Sequence, residues 1–451
     1  MSTNKKKFIK PTLKKIDIKI PPKFCTVSFH EVIDNIDGIE IKEIVSKFGS
    51  PVFVFSENTI IKTYNEAYRA FSLRYPKVQF AWSYKTNYLG AICKIFHKLG
   101  CWAEVVSDFE YEKAISLGIK GENIIFNGPY KTEEILVKAI KNNSIIHIDH
   151  FDEFYQILEI ASKINIEPKV AIRINMDTGI YPQWVRFGFN YENGEALEAI
   201  KRIIYSQKIN LVGLHTHIGT YIMAPWAYYN AAQKLVELAA FISKNYNITL
   251  NYIDIGGGFA SKNTLKGAYY PGTDTCPSFE QYADAISSAL LNLNTNINNL
   301  PTLILETGRA LIDDAGYLIT TIIASKKLPN NRNALIIDAG INSLFTSFWY
   351  NHDIVPTEIK SSITENFTIY GPLCMNIDVI REEIKLPPLK KGDLLVIKRV
   401  GAYNVSQWLQ FITYRPPIVL IDKNKKIHLI RKKEDLNYLT NLEIIPDYLK
   451  D

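Results

Sequence analysis

Cysteine is scarce and unpatterned. Five residues (Cys25, Cys93, Cys101, Cys276 and Cys374) make an odd number with no CxxC pair, which speaks against a disulfide framework or a zinc or redox motif and for a reducing compartment. Long apolar runs are missing as well. Nowhere do about 18 uninterrupted apolar residues suggest a membrane span. No apolar stretch of roughly 7 to 15 residues follows the N-terminal lysines as a secretory signal would. A cytoplasmic protein without a membrane partner is expected. The eight histidines form no HExxH and have no cysteine cluster beside them, so no metal site is expected.

Net charge is small once its position is considered. Of the +6 total, residues 1–23 contribute +7 from eight lysines against Asp17, leaving the rest near −1. A lysine run at a terminus reads as a solvated tail, and no nucleic-acid partner is inferred from it. Hydrophobic residues at 47% and charged residues at 22% are those of a globular chain.

Eight β-rich runs, each ending in small or polar residues and followed by helical spacing, recur at 78–84, 101–107, 123–128, 144–149, 169–175, 211–217, 252–258 and 302–308. Repeated βα units of that number predict an α/β fold, a closed (β/α)8 TIM barrel. From about 311 the rhythm turns to β-rich runs without long helices, a separate C-terminal β-barrel-like domain. The expected division is a basic disordered tail (1–24), an N-terminal segment joining the β domain (25–50), the barrel (51–310) and the C-terminal β domain (311–451).

Reactive groups of such barrels sit at the C-terminal ends of strands. The first run ends in Ser83-Tyr84-Lys85-Thr86-Asn87, where a lysine can form a Schiff base if burial lowers its pKa. The seventh ends in Asp254 followed by Gly256, Gly257 and Gly258, whose amides can face a phosphate without obstruction. The eighth ends in Glu306-Thr307-Gly308-Arg309, a carboxylate able to hold a proton on a heteroaromatic nitrogen beside a guanidinium able to close on the phosphate. The sixth offers His215 and His217 on one face of a strand, the latter suited to stacking on a flat cofactor. Ser107 and Glu110 read first as a helix cap.

Taken together, YKTN, HIGT, DIGGGF, ETGR, GPLC followed by Asp378, and GAY resemble, in order over about residues 50–420, the fold type III pyridoxal-phosphate decarboxylases, the group of diaminopimelate, ornithine and arginine decarboxylases. The resemblance implies pyridoxal 5'-phosphate held covalently by Lys85, stacked on by His217 and paired through its ring nitrogen with Glu306. Its phosphate would lie among Gly256, Gly257, Gly258, Gly308, Arg309 and Thr220, with Tyr403 of GAY contributing from the β domain. Cys374 would donate a proton from a second subunit, in a homodimer with shared active sites. Thr307 stands where the family usually has proline and Thr220 where it usually has serine.

The activity implied is decarboxylation of an amino acid. Racemases of this barrel are similar in carrying an arginine where Glu306 stands, and silent relatives usually lose the lysine or cysteine kept here. The positions taken to face the substrate are Met375, Asp378, Thr346 and Tyr350. Met375 replaces an acidic residue of ornithine and diaminopimelate decarboxylases, and Thr346 replaces the distal-carboxylate arginine of the latter. GPLC and GAYNVSQWLQFI look more like decarboxylases of siderophore and aminoglycoside assembly. A conjugated or atypical amino acid is therefore the expected substrate, with meso-diaminopimelate as the alternative.

Overall fold

Near-continuous buried runs, as parallel strands covered on both faces require, and capped helices after them build the first unit. The computed structural model describes residues 31–293, 297–329, 332–359, 361 and 363–450; the tail expected over 1–24 lies outside them. Strand β1 (Val52–Ser56) precedes the barrel strands β2 (Val78–Ser83), β3 (Trp102–Val105), β4 (Ile124–Phe126), β5 (Ile145–Ile148), β6 (Lys169–Asn175), β7 (Asn210–Thr216), β8 (Tyr252–Asp254) and β9 (Thr302–Leu305). Each of β2 to β9 pairs in parallel with the next, and β9 returns to β2, closing the barrel. Helices start where side chains satisfy their first amides: Ser107 Oγ accepts from Glu110 N, Thr132 Oγ1 from Ile135 N, and Ser278 forms a capping box with Gln281. Glu110 reaches back to Val106 N at 2.9 Å, one residue beyond the cap.

Inside the barrel, Ala81, Trp102, Ile125, Ile145, Ala171, Tyr252 and Ile304 form one apolar layer. Gly213 leaves room there for the Tyr252 ring. Two residues on, where a strand again faces inward, every position is polar: Ser83, Glu104, Asn127, His147, Arg173, His215, Asp254 and Glu306. All but Arg173 are buried.

The second unit is a sheet ordered β14 (Val379–Leu386), β13 (Glu365–Tyr370), β11 (Asn333–Ile337), β10 (Gly316–Lys327), β1, β16 (Ile418–Ile421) and β17 (Ile427–Arg431), with β15 (Leu394–Lys398) on β10 and β12 (Ile354–Pro356) on β15. The boundary at 51 is thereby corrected. β1 lies antiparallel to β10 and parallel to β16, not in the barrel, and its five residues are all buried, as a strand covered on both faces requires. Among the described residues before it, Asn35–Ile36 and Ile39–Glu40 pair only with each other, while Ile36, Ile41 and Ile44 share a core with Val52, Ile319 and Val419. Among the described residues no helix is long and apolar enough to cross a membrane.

The ends of β4 and β5 are pinned by a buried ion pair. Lys131 Nζ contacts Glu153 Oε1 at 2.5 Å and donates to the carbonyls of Gly128 and His147 at 2.8 and 3.0 Å. Removing one partner strands the other charge in the core. Lys131→Met is expected to cost about 3–5 kcal/mol, read as a lower urea midpoint, whereas Lys138→Met, at an exposed pair with Glu112, should leave the midpoint within error.

Candidate active site

Above the polar layer opens a cavity of about 900 Å³, at the C-terminal ends of the strands. Its floor is Lys85, Glu104, Asn127, Arg173, His215, His217 and Glu306; its walls carry Thr220, Arg309, Tyr350 and Tyr403. A 3-10 turn at Tyr84–Thr86 delivers Lys85 from the end of β2. Its Nζ lies 2.6 Å from Glu104 Oε2, which also accepts from Ser83 Oγ at 2.5 Å. The expectation that burial lowers the Lys85 pKa is corrected: burial pulls it down, but Glu104 and then Glu306 outweigh that and hold the ammonium above its ordinary range. An anion this close favours the charged form.

Glu306 faces the same floor. Asn127 Nδ2 bridges the two carboxylates, at 3.0 Å from Glu104 Oε1 and 2.5 Å from Glu306 Oε1, and His215 Nε2 stands 3.4 Å from Glu306 Oε2. His217 Nδ1 accepts from Gly257 N at 3.1 Å, so it needs the neutral ring. Burial, then Arg173, pushes its pKa well below the usual histidine value. The other side of its ring is flanked by Trp184, 5.6 Å between centroids.

The glycine loop is a cradle with no room for side chains. A Cβ on Gly256, Gly257 or Gly258 would run into the carbonyl oxygens of Thr216, Glu306 or Gly219, and Gly256 and Gly258 have φ of +70° and +95°. Gly308 touches the Thr86 side chain in the same way. Arg309, buried, donates to Tyr350 Oη and, at 3.2 Å, to Thr220 Oγ1, with Tyr403 4.6 Å away under its guanidinium. A buried guanidinium with the Thr220, Tyr350 and Tyr403 hydroxyls beside it, next to a loop whose backbone packs too closely for side chains, fits a phosphate. A lysine, a flanking neutral imidazole and a carboxylate fit the ring that would carry it.

The structure thus brings together Lys85, His217, Glu306, the glycines, Arg309, Thr220, Tyr403 and Tyr350. Four other named residues stand apart from the cavity. Cys374 is exposed on the turn after β13, and Met375 is half-buried against the core. Asp378, expected against the substrate, is buried; its carboxylate accepts from Ile341 N at 2.8 Å and Leu373 N at 2.7 Å, tying that turn down. Thr346 is buried with its hydroxyl between His352 Nε2 at 2.8 Å and Asn404 Oδ1 at 2.9 Å. Sequence reasoning passed over Glu104, Asn127 and Arg173. Their signal was a polar residue at the last inward position of each β-rich run.

Residues 60–313 match the family described as "Pyridoxal-dependent decarboxylase, pyridoxal binding domain". The diaminopimelate decarboxylase of Methanocaldococcus jannaschii is 31% identical over 431 residues, 92% of this chain and 95% of its own. A crystal structure of that enzyme in complex with L-lysine superposes with a TM-score of 0.85 at 30% identity, covering 93% of this chain and 98% of the other. The Helicobacter pylori diaminopimelate decarboxylase complexed with L-lysine gives 0.79 at 28%, covering 89% and 98%. These relatives overturn the expectation of a conjugated or atypical substrate and favour the alternative, meso-diaminopimelate. That expectation rested in part on Thr346 facing the substrate, and Thr346 does not line the cavity.

The cradle generates a test. Gly257 has an ordinary φ, so Gly257→Ala acts through its collision with the Glu306 carbonyl alone. It is expected to lower the fraction of chain retaining pyridoxal phosphate after dialysis, measured by cofactor absorbance.

Proposed function

Because this chain belongs to the pyridoxal-dependent decarboxylases, carboxy-lyases that act on amino acids with pyridoxal 5'-phosphate, we propose that it decarboxylates meso-diaminopimelate to lysine. The observation that carries the reading is the joining of Lys85, His217, Glu306 and Arg309 around one cavity, with Gly256 and Gly257 packed behind His217 and Glu306, in a chain alike along most of its length to diaminopimelate decarboxylases. A substrate with a carboxylate at each end suits a cavity that Arg173 and Lys266 also line. Lys266 Nζ is 3.7 Å from Glu382, a partly exposed pair of the kind that contributes little.

The cofactor, when bound, supplies an electron sink for the pair released as the carbon–carboxylate bond breaks. Lys85 holds it, and Glu104 is the base within reach to relieve Lys85 of its proton. Glu306 keeps a proton on the pyridine nitrogen, while His217 flanks the ring in its neutral form. Arg309, Thr220 and Tyr403, beside the loop of Gly256 to Gly258, would hold the phosphate and fix orientation. Cys374, exposed on its turn, serves the cavity of a second copy and returns a proton to the α carbon. A reducing cytoplasm suits Cys93, Cys101, Cys276 and Cys374, all free thiols.

The wild-type chain should release carbon dioxide from meso-diaminopimelate, and borohydride followed by peptide mapping should mark Lys85. Lys85→Ala should lose both the gas release and the mark. No release from meso-diaminopimelate, or a mark on another lysine, would remove the reading. Mixing inactive Lys85→Ala with inactive Cys374→Ala chains should restore activity through mixed dimers holding one intact site; no recovery after verified subunit exchange would leave Cys374 outside the shared site.

A further inference from the structure

The polar layer holds more acid than base. Glu104 is engaged by Lys85 at 2.6 Å, and Arg173 stands 3.7 Å from Asp149. Asp254, at the end of β8, and Glu306, after β9, are neighbours. Their oxygens and ring nitrogens of His147 and His215 lie within 4.8 Å of one another, all four residues buried. Glu306 has Asn127 at 2.5 Å and His215 at 3.4 Å. Asp254 is differently placed: Oδ1 accepts from Gly256 N at 2.7 Å, whereas Oδ2 is buried with no hydrogen-bond partner. Two buried carboxylates this close do not both ionise without a cation between them.

We propose that Asp254 is a positioning residue that stands in the barrel as the neutral acid and lends its proton to Glu306, so that the pair carries a single negative charge aimed at the cavity. The proposal rests on the reading of Glu306 as the partner of the cofactor nitrogen. Every group facing Asp254 agrees with it. Burial, then Glu306, raises its carboxyl well above the ordinary range, with Glu104 on β3 adding to this. Neither histidine supplies the missing charge. Burial, then His215, lowers His147, and burial, then Arg173, lowers His215. His147 Nε2 is moreover engaged with Tyr252 Oη at 2.9 Å. Lys85 and Arg173 already face Glu104 and Asp149. A proton on Oδ2 supplies a partner for that atom and lets Glu306 keep its charge without direct repulsion beneath the ring.

The rival occupant of the same four side chains is a divalent transition metal, and the test separates the two. Infrared difference spectra of the full-length holoenzyme, wild type minus Asp254→Asn, should show the loss of one protonated-carboxyl carbonyl stretch. An identical spectrum overturns the proposal, as does about one metal per chain by elemental analysis in wild type that Asp254→Asn lacks. Asp254→Asn keeps a donor toward Glu306 and should retain cofactor. Asp254→Ala should weaken cofactor binding about tenfold, as loss of a hydrogen bond to a charged group does, and equal affinity in the two variants overturns the positioning role. If Asp254→Asn does not fold, carbon NMR of isotope-labelled aspartate in the wild-type chain reads the same proton, and an Asp254 carboxyl ionised at neutral pH overturns the proposal. Unchanged turnover in Glu306→Gln would remove the role of Glu306 and leave the shared proton standing; identical wild-type and Asp254→Asn spectra beside an inactive Glu306→Gln would remove the shared proton alone.

Discussion

Closure of the barrel turns the last inward side chain of each of eight strands toward the cavity floor, and all eight are polar. Burying Ser83, Glu104, Asn127, His147, Arg173, His215, Asp254 and Glu306 side by side is tolerable only if each finds a partner in the layer or just above it. The Lys85–Glu104 contact at 2.6 Å and the Asn127 bridge between Glu104 and Glu306 meet that demand for three of them. Reactivity and stability therefore draw on the same contacts. The lysine that chemistry needs is also the counter-ion that the floor needs.

The apolar layer beneath makes this possible. Ala81, Ile125, Ala171 and Ile304 fill the barrel below the floor, so the polar groups meet no deep water and their interactions act in a low-dielectric setting. On the far side the glycine cradle and Arg309 close the ring of contacts. The polar ends of a bound group would meet charge and amides, and its flat part would meet His217.

Much of this was legible in the residues because it is local. The β-rich runs, their helical sequels and the lysine, glycine and ETGR motifs at strand ends each occupy a few consecutive positions. What escaped is non-local. Glu104 lies 19 residues from Lys85, so nothing beside Lys85 in the chain reveals that its pKa moves up rather than down. Val52–Ser56 reads as a strand, but only its pairing with β10 and β16 assigns it to the second sheet. Thr346 was expected against the substrate, yet its hydroxyl is taken by His352 and Asn404, partners that spacing alone cannot supply.

The two units meet through the loop that carries the lysine. Tyr403 N donates to Thr86 O at 2.8 Å, Ser406 Oγ to Lys85 O at 2.7 Å, and Asn87 Nδ2 to Gly401 O at 3.1 Å. The backbone at Lys85 and just after it is thus held from outside the barrel. A barrel cut out on its own would keep every strand and lose the splint on its reactive loop. Any chimaera that exchanges the second sheet would inherit a working lysine only if the replacement brings matching hydrogen-bonding groups to Lys85, Thr86 and Asn87.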